Sequence, residues 1–253
     1  MFISIEEVEN NSTLNSDVCI IGGGPAGITL AKELEKFNVI LIEGGELEFS
    51  EKSQNLYKGS IAGNPKYRPD LDICRLRYWG GTSNHWGGWC APLSKFDFER
   101  KDYNPGGEWP ISYEKDYLPY LDEACNYCDI EKFNNQFEKE IDNSSKLLKS
   151  YWHFSKPTLF GEKFFTDFKK NQNLKIIYGA NFYKFTETNG EVKTSSFISY
   201  DKNKIIKLSS KIFILCCGGM ENARILLSQK LLYENNSLKA HNMIGKSFQE
   251  HIA

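Results

Sequence analysis

The sequence predicts an α/β fold built around a parallel sheet, on three observations. The first is a βαβ pattern near the start. The apolar run Asp17-Val18-Cys19-Ile20-Ile21 leads into a glycine turn, an amphipathic stretch Ile28–Phe37 and a second apolar run, Val39-Ile40-Leu41-Ile42. The second is a group of three or four strand-like segments between Lys175 and Ile214, with Asn189-Gly190 as a hairpin turn signal. The third is another strand, turn and helix. Ile212–Cys217 is stopped by Gly218-Gly219, and Glu221–Leu232 then carries Ala223, Leu226, Leu227 and Leu231 on one side.

Composition narrows the class. The chain has 253 residues, 40% hydrophobic and 25% charged, and 14% are aromatic, enough apolar material to fold rather than remain disordered. A formal net charge of −2 gives no electrostatic reason to expect nucleic acid. The longest apolar run, Ile212–Cys217, is far short of the about 20 residues that cross a bilayer, so no transmembrane segment is expected. The first residues carry Glu6, Glu7, Glu9 and Asp17 and show no apolar signal segment. Seven cysteines, an odd number, fit a reducing compartment, and a cytoplasmic protein is expected. Cys125-Asn-Tyr-Cys128 has redox or zinc spacing, but without a second pair or a nearby histidine it reads as small apolar residues on a helix.

Along the chain, Gly22-x-Gly24-x-x-Gly27 falls between the first strand and the first helix. Gly22 permits a tight turn, Gly24 lets the backbone approach a pyrophosphate, and Gly27 lets helix and strand pack closely. The helix N-terminus adds amide donors and the positive end of its dipole. Glu43 ends the second strand 21 residues after Gly22, where a carboxylate can accept ribose hydroxyls. Together these form a dinucleotide fingerprint. From Glu46 to Pro110 the chain is rich in Gly, Pro, Asn and Trp with little periodicity, and so long an irregular stretch is usually functional. Tyr113–Ile130 and Phe137–Trp152 read as helices. A long aromatic insertion followed by a β-meander suits FAD better than NAD, because the isoalloxazine needs cover beyond the nucleotide fold.

Within the irregular stretch, Gly80-Gly81-Thr82-Ser83-Asn84-His85-Trp86-Gly87-Gly88 sets small polar residues among paired glycines, with Trp79, Trp86 and Trp89 close by. Exposing three tryptophans would be costly, so burial against a ligand or core is expected. This segment resembles the flavin-lining stretch of the glucose–methanol–choline oxidoreductase family. Three further stretches carry the resemblance: Trp109-Pro110-Ile111-Ser112-Tyr113 with Leu118-Pro119-Tyr120, Leu215–Leu227, and Gly245-Lys246-Ser247-Phe248-Gln249-Glu250-His251, where Ser247 replaces the family's Asn.

The resemblance implies a Rossmann-like FAD-binding sheet with a β-meander and an incomplete cap or substrate region. Residues 1–112 would form the FAD-binding region with its flavin-lining loop, 113–168 a helical cap, and 169–253 the return to the FAD-binding domain. Gly22, Gly24, Gly27 and Glu43 would hold the ADP half. Gly80, Gly81, Asn84, His85 and Gly88 would line the isoalloxazine, with Gly218 and Gly219 approaching from the other side. The implied activity is FAD-dependent oxidation of a CH–OH group on a small alcohol or sugar. Family members are about twice this length and carry their catalytic base in the second half. The resemblance therefore places the expected base beyond Ala253, and implies an incomplete, inactive isolated chain. The alternatives are a non-catalytic flavin-binding fragment or subunit completed by a second chain, and another FAD-dependent reductase or hydroxylase. His85 has two readings: an imidazole hydrogen-bonded within an aromatic loop, or, by likeness to pyranose oxidase-like relatives, the site of a covalent bond to FAD. His251 would help order the chain near the cofactor, while His153 and His241 read as surface or packing residues.

Overall fold

The computed structural model describes residues 1–62, 70–99, 109–133, 139–140, 148–149, 151–229, 243–246 and 248. The chain divides into two compact units, Met1–Asn84 with Leu159–Ala253, and His85–Thr158.

The first unit is built on a seven-stranded sheet. Its strands are β1 (Phe2–Ser4), β2 (Thr13–Ile21), β3 (Val39–Ile42), β4 (Leu174–Tyr178), β5 (Asn181–Thr188), β6 (Glu191–Ile198) and β7 (Ile205–Leu215), in the order β1-β4-β3-β2-β7-β6-β5. From β1 through β7 every neighbour is parallel, whereas β6 pairs antiparallel with both β7 and β5. The chain is thus α/β, with a mostly parallel sheet and an antiparallel meander. Apolar β-branched residues make the central strands, and all four residues of β3 are buried. One face carries Cys19, Ile21, Ile40, Ile42, Ile177 and Phe197 in a single core cluster, which Ile225 joins. The alternate residues Ile20, Leu41 and Ile176 are also fully buried, so the sheet is covered on both faces at its centre.

Helix α1 (Pro25–Glu33) joins β2 to β3, and α2 (Gly219–Ser228) follows β7. Helix α1 starts earlier than the apolar periodicity suggests because Pro25 occupies the first turn, where its missing N–H costs nothing. The meander includes the expected turn: Asn189 and Gly190 both have positive φ, 55° and 80°, the conformation a two-residue hairpin requires.

Two readings of the sequence need correction. Ile212–Cys217 is not a separate buried strand: Ile212–Leu215 is the end of the eleven-residue β7, and Cys216 and Cys217 follow it. Phe213, Leu215 and Cys217 pack on the core cluster, while Ile212 is 54% exposed; an apolar run shows that one face is covered but not that both are. The stretch Phe137–Trp152 is also not a helix among its described residues. Lys139–Glu140 pairs antiparallel with Leu148–Lys149. Between them the sequence Asp142-Asn143-Ser144-Ser145 offers side chains that favour turns over helix interiors.

In the second unit, residues 113–127 are helical, as expected, but irregular. A π-turn (Tyr113–Tyr117) passes through a 3₁₀ turn (Leu118–Tyr120) into an α-helix (Leu121–Tyr127). Pro119, which cannot donate a backbone hydrogen bond, sits at the change of pitch. Phe98 is buried among Trp109, Tyr113 and Tyr117. Trp89–Cys90 pairs antiparallel with His153–Phe154. Among the described residues, no helix is long and apolar enough to cross a membrane.

Candidate functional site

The glycine turn between β2 and α1 opens onto a cavity of about 670 Å³ in the first unit. Each glycine of the turn has its own physical reason. Gly22 has φ +113°, and a Cβ there would lie 2.5 Å from the Cys216 carbonyl oxygen at the end of β7. At Gly27, inside α1, a Cβ would collide with the Gly22 carbonyl, so helix and strand can approach only because this residue is glycine. Gly24 differs: a Cβ there would meet nothing within 4 Å and would project into open space. Since Gly24 lines the cavity, that space is available to a ligand lying against the backbone.

Glu43 closes the turn from the β3 side. Glu43 is 7% exposed; its Oε2 accepts from the Gly23 N–H at 2.7 Å and its Oε1 from the Gly45 N–H at 2.6 Å. Each oxygen retains a lone pair for a further donor. The loop at residues 79–84 is pinned on top, where the Gly80 N–H donates to the Gly23 carbonyl at 2.9 Å. Gly81 has φ +58°, and a Cβ there would lie 3.0 Å from Gly24 Cα, so two glycine backbones stack at the cavity edge.

On the opposite wall, β7 delivers Cys216, Cys217 and Gly218. Gly218 caps α2 with φ +81°, and Asn222 fixes the bend by accepting from the Cys217 N–H at 2.9 Å. Burial pushes the Cys216 thiol up to about 11 and the Cys217 thiol up to about 12, with Glu43 adding to the latter. Burial also raises the Tyr57 phenol, again with Glu43 contributing. All three groups line the cavity as neutral donors at physiological pH.

Of the residues singled out in the sequence, Gly22, Gly24, Glu43, Gly81 and Gly218 line this one cavity. Gly27 lies behind it in α1, and Gly219 begins α2 with open space about its Cα. Gly80 and Asn84 build the loop itself: a Cβ on Gly80 would meet Asn84 Oδ1 at 2.6 Å, and Asn84 Nδ2 donates to the Trp79 carbonyl at 2.9 Å. His85 and Gly88 belong to the second unit. His85 is exposed there, and Gly88 has φ +73° with the Ser155 carbonyl oxygen 2.5 Å from where its Cβ would stand. The three tryptophans have separate fates. Trp79 is buried and donates from Nε1 to the Gly161 carbonyl at 2.8 Å, Trp86 donates to the Thr158 carbonyl at 3.0 Å, and Trp89 is 63% exposed, contrary to the expectation of burial. Cys125 is buried in its helix, and among the described residues no group of three metal-ligating side chains is assembled. In the Gly245–His251 signature, Ser247, Gln249, Glu250 and His251 lie outside the described residues, as does His241.

Sequence reasoning missed several cavity residues. Tyr57, Arg77, Asn181 and Glu221 all line it. Arg75 ion-pairs with Glu221 at 3.1 Å and lies 4.1 Å over the Tyr57 ring. An Arg-x-Arg placed just before the glycine-rich segment was the one available signal.

No sequence-family model matches this chain, and no curated protein matches it. Solved structures do share its fold. The pyridoxine 4-oxidase of Mesorbium loti aligns over 86% of this chain and 53% of its own, with a TM-score of 0.55 and 14% identity. An FAD-dependent oxidoreductase from Chaetomium thermophilum aligns over 87% and 49%, with a TM-score of 0.56 and 18% identity. A fungal aryl-alcohol oxidase aligns over 90% and 50%, with a TM-score of 0.50 and 15% identity. The chain spans about half the length of each of these proteins, and across that half it shares their fold.

Proposed function

We propose that this chain is the nucleotide-binding part of an FAD-dependent oxidoreductase that acts on CH–OH groups of a small alcohol or sugar. The observation that carries the reading is the cavity at the β2–α1 turn, where Gly24 leaves room for a ligand and Glu43 is held at the end of β3. The N-terminus of α1 offers amides and a positive dipole end to a pyrophosphate. The remaining lone pairs of Glu43 suit a ribose diol. The neutral Cys216, Cys217 and Tyr57 add no charge of their own. The resemblance of the segment Gly80–Trp86 to a flavin-lining stretch, together with the shared fold, favours FAD over other dinucleotides. Bound flavin supplies the acceptor for the hydride that leaves the carbinol carbon.

The test is purification of the full chain without added cofactor, followed by its visible spectrum and a titration with FAD monitored by flavin fluorescence. Flavin bands, or saturable quenching, are expected; a colourless chain with no quenching overturns the reading. Turnover of sugars and primary alcohols with an artificial acceptor tests the activity separately from the binding. Covalent attachment at His85 belongs to the same proposal. Acid precipitation of the flavin-loaded protein leaves colour in the pellet if the bond exists and releases all of it if not. His85→Ala should still bind flavin in the native protein but lose all of it to the supernatant on acid precipitation.

A further inference from the structure

Arg77 holds a position that the glycine fingerprint does not explain. Its Nη1 donates to the Gly44 carbonyl at 2.8 Å and to Ser53 Oγ at 2.7 Å, and its Nη2 donates to Asn181 Oδ1 at 2.7 Å. One guanidinium thereby ties the turn after β3, the helical turn Glu51–Gln54 and the start of β5. Its backbone is fixed as well: the Arg77 N–H donates to Gln54 Oε1 at 2.8 Å, and its carbonyl accepts from Ser53 Oγ at 3.2 Å. The turn is shaped to receive it. A Cβ on Gly44 would collide with Arg77 Nη2, and one on Gly45 with the Arg77 carbonyl oxygen.

The Gly44 carbonyl belongs to the peptide whose N–H, on Gly45, donates to Glu43 Oε1. The other Glu43 oxygen accepts from Gly23, next to the fingerprint glycines. A continuous hydrogen-bond path thus runs from the guanidinium through the Gly44–Gly45 peptide to the carboxylate and on to the glycine turn. A cation at the carbonyl end polarises the peptide, which strengthens the bond at its N–H end and fixes the carboxylate plane. We propose that Arg77 is a positioning residue that acts through the Gly44–Gly45 peptide to hold Glu43 in the orientation that receives the vicinal diol of a nucleotide ribose. The proposal rests on the nucleotide-binding reading above and adds the means by which the diol is selected.

The test uses calorimetric titration of the full chain with ADP and with 2′,3′-dideoxy-ADP. The intact chain is expected to prefer ADP by about tenfold, the worth of a hydrogen bond to a charged acceptor. Glu43→Gln should abolish that preference. Arg77→Met should reduce it to about threefold or less, with affinity for ADP falling clearly more than affinity for the dideoxy analogue, as expected if it acts through the carboxylate. Arg77→Lys, which keeps the charge with fewer directed donors, should recover an intermediate preference. Circular dichroism establishes that each variant is folded, and if Arg77→Met is not, Arg77→Lys carries the test. An unchanged preference in the Arg77 variants, or equal weakening toward both ligands, refutes the positioning role. An intact chain that binds neither ligand refutes the nucleotide reading itself, and the proposal falls with it.

Discussion

Replacing Gly24 by valine and Gly22 by alanine adds side chains to two glycines of one turn, and the structure gives them opposite consequences. At Gly22 the backbone lies at φ +113°, and the new Cβ would stand 2.5 Å from the carbonyl oxygen of Cys216. The left-handed conformation costs an L residue about 1–2 kcal/mol, and pushing a packed backbone aside adds about 1–3 kcal/mol. The sum of about 2–5 kcal/mol lowers the Tm by roughly 4–20 °C for a chain of this size. At Gly24 the backbone has φ −84° and ψ −175°, extended and directly before Pro25, a conformation valine accepts. Its cost to the fold is the poorer helix cap, about 0.5–1 kcal/mol, or roughly 1–4 °C. The valine methyls would fill the space that the proposed pyrophosphate site needs against the backbone, so FAD affinity should fall by about 100-fold or more. Thermal scans followed by circular dichroism, paired with FAD titrations, read both quantities on the same samples. Gly24→Val with wild-type FAD affinity would show that the cavity at this turn is not the pyrophosphate site. A Tm loss at Gly24 equal to that at Gly22 would show that the turn's geometry has been misjudged.

Three further outcomes are expected. Glu221→Gln leaves Arg75, 17% exposed at its side chain, without its carboxylate and should lower unfolding stability in urea by about 1–3 kcal/mol, whereas Arg75→Leu should cost less because Glu221 keeps Arg224 at 2.7 Å; no change in either variant would mean the pair is solvated. Gly190→Ala, at φ +80°, should cost about 1 kcal/mol, whereas Asn189→Gly should stay within about 0.5 kcal/mol; equal effects would contradict the hairpin geometry. The Cys217 thiol is held up to about 12 from 9.0 in the folded chain, so its contribution is intact below pH 9 and is lost as pH rises toward 12. Cys217→Ala should therefore flatten the decline of stability above pH 9, and an unchanged slope would refute the burial effect.

The glycine turn between β2 and α1 was legible because its determinants are local. Gly22, Gly24 and Gly27 are set by a strand, a bend and a helix within a dozen residues, and Glu43 follows one crossover later. The Asn189-Gly190 hairpin was legible for the same reason. Arg77 was not, because its partners Ser53 and Asn181 lie 24 and 104 residues away and no short pattern links them. The pairing of β1 with β4 was equally hidden, since three residues at a sheet edge carry too little periodicity to reveal a partner. The Phe137–Trp152 stretch misleads differently: its apolar spacing suits a helix, but Asp142-Asn143-Ser144-Ser145 at its centre favours a turn. Trp89 shows a related limit, since it packs against Trp152 and Phe154 and is still 63% exposed, so aromatic contact need not mean burial.

Strand β7 pairs with β2 along eight residues, and Ser16 meets Ser210 across a separation of 194 residues. At synthesis rates of about 5–20 residues per second, β2 leaves the ribosome roughly 10–40 s before its neighbour exists. During that interval Val18–Ile21 can align with β3 on one side only, and its other edge carries unpaired backbone groups in an apolar strand. The wall that presses on Gly22 is missing for the same period, because Cys216 supplies it. The N-terminal βαβ unit is therefore made first as an open sheet with an exposed apolar edge, and its cavity gains the wall at Cys216 only after the meander has been made.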